Sequence, residues 1–383
     1  MSLSHLTVGF DGKRAAQNRS GLGNYSRFVI SGLSRFSDIG RLLVYTQSEQ
    51  RMSCISGVDK MPRVEMRFPA TTCQRLFSSL WRVNGVKSSL VGDGVGLFHG
   101  LSGELPLGIR NAKGVRSIVT IHDLIFRHYP EYYQRIDRKI YDYKFCKACQ
   151  NADKVIAVSD CTRRDVIELY GVDPQKVVTV YQGCDDMFWR EATEQAKQEA
   201  RRTLNLPQKY ILYVGTVERR KNLMLLAKAL TLLPKDMSVV ALGKRTSYAD
   251  EVERFCHANG LADRLKIHSG VPFSLFPSVY QMADVMVYPS RFEGFGIPLL
   301  ESIVSGTPVI GCTGSCQEES GGPGSIYVNP DDAETLASSI SNVVNDSELR
   351  QRMIEKGREY AQGFRQDLLI QKLLEVYADV MNN

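Results

Sequence analysis

The sequence predicts an α/β protein made of two parallel-sheet domains in series. Three observations carry that expectation. Short apolar runs of β type alternate with amphipathic helical runs from end to end, the pattern of parallel strands joined by helical crossovers. The alternation restarts after a charged stretch at 190–202. The length of 383 residues, at roughly 150 per domain, also suits two domains and a tail element.

In the first half the expected strands are 6–10, 42–45, 95–99, 116–121, 154–159 and 177–181. After the strand ending at Ser159 comes DCTRRDVIELYG, in which Ser159 or Asp160 caps a helix that stops at Gly171. In the second half the expected strands are 209–215, 237–243, 264–270, 284–289, 307–311 and 325–328, and 331–383 reads as helices only. The predicted domains are therefore 1–185 and 186–363, with a first crossing near 185–188 and a cleft between them.

Hydrophobic residues make up 43% and charged residues 23%, which excludes disorder, collagen and coiled coil as the main architecture. No run approaches the roughly 18 apolar residues of a membrane span, and the N-terminus has no apolar leader, so a cytoplasmic location is expected. The nine cysteines are scattered without finger spacing and read as free thiols, with neither zinc nor a disulfide framework. Charge is divided unevenly: residues 1–185 carry 26 Lys+Arg against 17 Asp+Glu, and 186–383 carry 22 against 25. The basic half suits an anionic partner, whether nucleic acid, a membrane surface or a phosphorylated substrate.

Open parallel sheets bind ligands beyond the carboxyl ends of their strands, and four such ends carry chemistry. At 289–311, PSRFEGFGIPLLESIVSGTPVIG, a strand runs into a glycine-containing loop and then a helix with Pro298 at its start. The amides around Gly296, Ile297 and Leu299, beside Phe295, lie at a helix N-terminus, an anion site suited to a diphosphate. Glu293 before this helix and Glu301 one turn inside it suit the hydroxyls of a sugar nucleotide, because a carboxylate accepts two hydrogen bonds from a vicinal diol.

The stretch EGFGIPLLE resembles the E-x7-E motif of retaining glycosyltransferases of the two-domain GT-B fold, the large family 4 or "group 1" type that includes bacterial lipid-linked mannosyltransferases. The resemblance spans nearly the whole chain and implies two Rossmann-like domains, with 364–383 returning as a helix onto the first. In VGTVERRKN, 214–222, it assigns Arg220 and Lys221 to the nucleotide diphosphate. Thr216 stands where many members have arginine, so Arg219 competes with Arg220 for that contact. In the loop 14–28, Gly21 and Gly23 match a glycine-rich loop over the donor phosphates, with Tyr25 and Arg27 as weaker candidates. At TIHDLIF, 120–126, His122 matches a histidine beside the donor sugar, where it positions or protonates groups without serving as the base. Asp123 is its candidate orienting partner, and Lys244 is a further residue near the nucleotide.

The implied reaction transfers a sugar, best matched by mannose from GDP-mannose, to a glycan or polyprenyl-diphosphate-linked acceptor, with retention of configuration, as in cell-surface polysaccharide synthesis. His122, Glu293, Arg220 and Lys221 are the catalytic candidates. The absence of an Asp-x-Asp motif predicts no metal requirement, and no nucleic-acid motif accompanies the basic half. Between 61 and 90, Arg63, Arg67, Arg75, Arg82 and Lys87 face one acid, Glu65, and Leu76, Phe77, Leu80, Trp81 and Val83 share a face at helical spacing. This is either an amphipathic helix on an anionic membrane at the inner face of the cytoplasmic membrane, or a domain helix packed inward. A glycoside phosphorylase and a non-catalytic sugar-nucleotide-binding protein are the rival functions.

Overall fold

Strands whose residues are apolar at successive positions bury both faces, and that is how this chain's strands behave. LFHG at 97–100 and YILYV at 210–214 are buried at every position. The computed structural model describes residues 3–382. They divide into a unit running to Gly183 and resuming at Phe364, and a unit from Cys184 to Gly363. The break falls two residues ahead of 185/186, for a local reason. Asp185 accepts the Met187 N–H to cap the turn Asp186–Trp189, whose Phe188 is buried against Phe273 and Tyr280 of the second unit.

The first unit holds β1 (Thr7–Asp11), β2 (Arg41–Tyr45), β3 (Val64–Arg67), β4 (Leu97–Gly100), β5 (Arg116–Ile121), β6 (Lys154–Ala157) and β7 (Val177–Thr179). They pair in parallel in the order β3-β2-β1-β4-β5-β6-β7, so the winding reverses between β1 and β4. On one face Val8, Phe10, Val44 and Ile118 pack under Val29, Ile30 and Leu33 of helix Gly21–Phe36 and under Leu373 and Tyr377 of the last helix, Gln366–Asn382. That last helix is fixed at its start by Gln366 Nε2, which donates to Phe28 O at 2.8 Å. Tyr377 and His99 Nδ1 lie 2.7 Å apart further along. The other face packs Val119, Ile121 and Val155 against Ala148, Cys149 and Val166.

The second unit holds β8 (Tyr210–Val214), β9 (Ser238–Leu242), β10 (Leu265–His268), β11 (Val285–Val287), β12 (Val309–Cys312) and β13 (Ile326–Val328), in the parallel order β10-β9-β8-β11-β12-β13. Here the winding reverses between β8 and β11.

The stretch 61–90 departs from expectation. It begins with β3, which the sequence reading did not include, and continues as a broken helix: Thr72–Leu76, Ser78–Leu80, a π turn at Trp81–Gly85, then Val86–Gly92. The capping box of Thr71 and Gln74 starts the first piece only after Pro69. The broken geometry buries Trp81 but leaves Leu76, Phe77 and Leu80 at 76%, 58% and 66% exposure, so these residues do not form the one continuous helical face that both alternatives assumed.

Candidate active site

Two loops leave the switch point of the second sheet, and both carry predicted residues. After β8 the chain reaches the turn Arg219–Lys221, and Asn222 in the left-handed region (φ 56°) opens helix Leu223–Leu230. After β11 the chain runs through Tyr288 and Ser290 to Glu293 and then Gly296. Gly296 sits at φ 93°, a conformation that favours glycine, and caps helix Ile297–Val304 with Pro298 in its first turn. The Arg291 N–H donates to Arg220 O at 2.9 Å and ties the two loops together.

Three donors converge on one oxygen of the buried Glu293. Arg220 Nη1 lies 2.7 Å from Oε1, Lys221 Nζ 2.9 Å and Ser290 Oγ 2.7 Å. Arg220 also donates to Glu218 Oε1 at 2.8 Å, and Lys221 to the Tyr288 hydroxyl at 2.6 Å. Burial by itself would raise the Glu293 pKa, but the adjacent Arg220 and Lys221 charges and the Ser290 hydroxyl outweigh it and bring it down to about 2. Glu293 is therefore a carboxylate at every physiological pH. The Tyr288 hydroxyl also lies against this carboxylate. Lys221 uses two of its three ammonium hydrogens. The cluster thus presents a carboxylate beside an ammonium with one hydrogen uncommitted among the described residues.

Glu301 has the opposite electrostatics. It is buried one turn into the helix, accepts a hydrogen bond from the Tyr280 hydroxyl at 2.8 Å, and makes no ion pair among the described residues. Burial, with the nearby Asp185 charge adding to it, outweighs the Tyr280 bond and pushes its pKa up to about 7. The environments of two glutamates eight positions apart thereby push their pKa values in opposite directions.

The remaining predicted residues of this unit divide. Arg219 is turned away: 61% exposed, it grips Glu251 at 2.6 and 2.8 Å and lies over the Tyr248 ring, so Arg220 makes the central contact. Thr216 is half-buried beside Gly243, its carbonyl taking the Tyr213 hydroxyl at 3.1 Å. Lys244 is exposed on the loop after β9. Phe295 is buried against the protein, and Ile297 begins the helix. The Leu299 amide is spent on Gly296 O at 3.0 Å, which removes it from the expected anion site.

In the first unit, His122 ends β5. Its Nε2–H donates to Leu101 O at 2.8 Å, which leaves Nδ1 as the lone-pair nitrogen facing Gln182 Nε2 at 3.5 Å. Burial, which outweighs the Leu101 bond, lowers its pKa to about 4. A neutral ring with its proton committed can position a hydroxyl through Nδ1; it cannot protonate one near pH 7. Its orientation comes from Leu101, Gln182 and the edge-on Tyr25 ring at 4.7 Å. The two ring nitrogens face Leu101 and Gln182, while Asp123 Oδ1 takes the Ile125 N–H. Gly21 and Gly23 belong to helix Gly21–Phe36, not to the loop expected at 14–28. A side chain on Gly23 would place its Cβ 1.8 Å from Asn18 O, so this glycine is required by the packing of its own turn. A side chain on Gly21 would meet nothing within 4 Å. Arg27 holds that same turn through Ala15 O and Asn18 O.

The reading missed Tyr288, Ser290, Tyr280 and Gln182. Only Tyr288 and Ser290 carried a signal, their nearness to Glu293 in sequence; Tyr280 reaches Glu301, and separately Gln182 reaches His122, through the fold of each unit.

Two sheets of this order, with a cationic and acidic cluster at a switch point, define the GT-B class. The chain belongs to the corresponding glycosyltransferase family: residues 194–360 match the model described as glycosyl transferases group 1, and 63–187 match glycosyltransferase family 4. O-antigen chain mannosyltransferase B of Escherichia coli is 23% identical over 367 residues, covering 88% of this chain and 93% of that protein. Among solved structures, a sucrose-phosphate synthase of Thermosynechococcus elongatus superposes with a TM-score of 0.79 at 21% identity, over 99% of this chain and 100% of that one. HepE of Anabaena, crystallised with UDP and glucose, superposes with a TM-score of 0.75 at 18% identity, over 98% and 100%. No helix among the described residues is long and apolar enough to cross a membrane.

Proposed function

We propose that this glycosyltransferase moves a hexose, mannose from GDP-mannose, to a hydroxyl of a glycan or lipid-linked acceptor in cell-surface polysaccharide synthesis, with retention of configuration. The observation that carries the reading is the convergence of Arg220 and Lys221 on Oε1 of Glu293, which leaves one Lys221 hydrogen available. Lys221, Arg220 and the start of helix Ile297–Val304 hold the donor diphosphate and stabilise the charge that develops on its β-phosphate oxygen as the glycosidic bond breaks. Glu293 accepts a hydroxyl of the sugar, and Glu301 takes the ribose diol.

A carboxylate with a pKa of about 2 is a weak base. This supports a same-face route, in which the C1–O bond to the diphosphate breaks, the acceptor oxygen bonds to C1, and the acceptor proton passes to the leaving phosphate. The O-antigen mannosyltransferase relative supports mannose and the polysaccharide context. The exposed Leu76, Phe77 and Leu80 beside Arg75 support peripheral contact with an anionic membrane, which liposome co-sedimentation tests. A thermal-shift panel of GDP-, UDP-, dTDP- and ADP-sugars tests the donor: a ligand at 100 times its dissociation constant adds about 2.7 kcal/mol, so GDP-mannose should give the largest rise. A flat panel contradicts the reading.

A further inference from the structure

Strands β11 and β12 pair through Met286 with Val309 and Val287 with Ile310. At the mouth of the pair the Tyr288 N–H still donates to Ile310 O at 2.9 Å, but the Cys312 N–H goes to the side chain of Gln317, whose Oε1 lies 2.8 Å away. The same side chain donates from Nε2 to Ser290 O at 2.6 Å. One side-chain amide therefore stands in for a peptide group between two strands that part toward their carboxyl ends. Gln317, Ser290 and Cys312 are all buried, so without this amide a backbone donor and a backbone acceptor would be left without water or another partner to turn to.

Ser290 links that amide to the acidic and cationic cluster. Its hydroxyl donates to Glu293 Oε1 at 2.7 Å, and the thiol of Cys316, the residue before Gln317, donates to Glu293 O at 3.0 Å. Gln317 begins the helix Gln317–Gly321, so one turn of chain holds the loop 290–293 at both ends. The sheet makes room for it: a Cβ on Gly311 would lie 2.9 Å from Gln317 Oε1, so the amide reaches Cys312 only across a residue without a side chain. Arg220 and Lys221 are the groups that a bound diphosphate draws toward itself. Ser290 and Gln317 carry no charge, so their hold on Glu293 does not compete with that pull.

We infer that Gln317 is a positioning residue for the transfer: through Ser290 it fixes the Glu293 carboxylate relative to Arg220 and Lys221. The inference rests on the reading that Glu293 takes part in the reaction, and it adds the residue that holds this carboxylate in place. Gln317 is buried beneath the loop and acts only through it. A misplacement of about 1 Å at a reacting contact costs up to about a hundredfold in rate, so loss of one tether among several should cost about tenfold.

The test is a double-mutant cycle on the full-length protein, read as turnover of the sugar nucleotide that the thermal-shift panel selects. Gln317→Met keeps the length of the side chain and removes both bonds. It should lower kcat about tenfold in the parent and less than about twofold in the Glu293→Ala background, because a residue that acts through Glu293 has nothing left there to position. Affinity for GDP or UDP, whichever binds the parent, should stay within about twofold in Gln317→Met, since these probes lack the sugar that Glu293 receives. An equal loss of kcat in both backgrounds, a matching loss of nucleotide affinity, or a parental rate in Gln317→Met overturns the inference. If Gln317→Met does not fold, Gly311→Ala, which keeps the amide and displaces its oxygen, takes its place in the cycle with a severalfold loss expected and the same criteria. The two readings fail differently: Glu293→Ala at the parental rate removes the carboxylate from the reaction and this inference with it, whereas a slow Glu293→Ala beside a parental Gln317→Met removes the positioning alone.

Discussion

The ammonium of Lys221 lies 2.9 Å from Oε1 of Glu293, although 72 positions separate them in the chain. The strand order makes this possible, because β8 and β11 are neighbours in the sheet and the loops that follow them emerge side by side. Removing either partner leaves a charge in a largely buried setting, so each variant needs a fold check beside its rate.

Lys221→Ala and Glu293→Ala should each lower turnover about a hundredfold, on the order of 3 kcal/mol of transition-state stabilisation. Initial rates with a sugar nucleotide, alongside circular dichroism, check this. Arg219→Ala is the contrast: its pair with Glu251 is exposed, so the rate should stay within about twofold. Equal losses for Arg219 and Lys221 would mean that the site is wrongly centred.

Glu293 also predicts an acid limb in stability. Its folded pKa of about 2 lies below the ordinary 4.5, so its stabilisation is present above pH 4.5 and is lost as pH falls through 2. Glu293→Gln should therefore be less stable than the parent at pH 6, by on the order of 3 kcal/mol, with the gap closing toward pH 2. Urea midpoints across that range measure it, and a gap independent of pH would show that the ion cluster is not its source.

Nucleotide affinity should depend on pH through Glu301. Its carboxyl titrates at about 7, and hydrogen bonds from a ribose diol favour the carboxylate. Affinity should rise from pH 6 to pH 8 and then level, and calorimetry in buffers of different ionisation enthalpy should register proton release. Glu301→Gln should bind more weakly and flatten the profile; a parent protein with no such slope would remove Glu301 from the ribose.

Tyr377→Phe should destabilise the first unit by about 1–3 kcal/mol, since it leaves His99 Nδ1 buried without its partner. His99 bonds Thr120 through Nε2 at 2.8 Å, and Thr120 lies 3.1 Å from the Tyr25 hydroxyl, so the loss should be felt where helix Gly21–Phe36 meets β5. Thermal melting and amide exchange on these segments provide the check.

Twelve of the thirteen strands among the described residues were legible because each is an apolar run bounded by turn residues. The exception, β3, reads VEMR, with one fully buried position, and offers no such run. Glu293 and Glu301 stood out by their spacing about the glycine loop, and Arg220 and Lys221 through the family resemblance; the fold brings Glu293, Arg220 and Lys221 together. The direction of Arg219 was not, because three adjacent cations look alike until Glu251 on the helix Ser247–Ala258 takes one of them. The roles of Gly23 and Asp123 were likewise hidden, since each satisfies its own turn.

The most direct test is calorimetric titration of the parent protein and Lys221→Ala with GDP and UDP. The account predicts that one of the two binds the parent protein and loses about a hundredfold in affinity in the variant. Binding of neither nucleotide, or equal affinity in parent and variant, would contradict it.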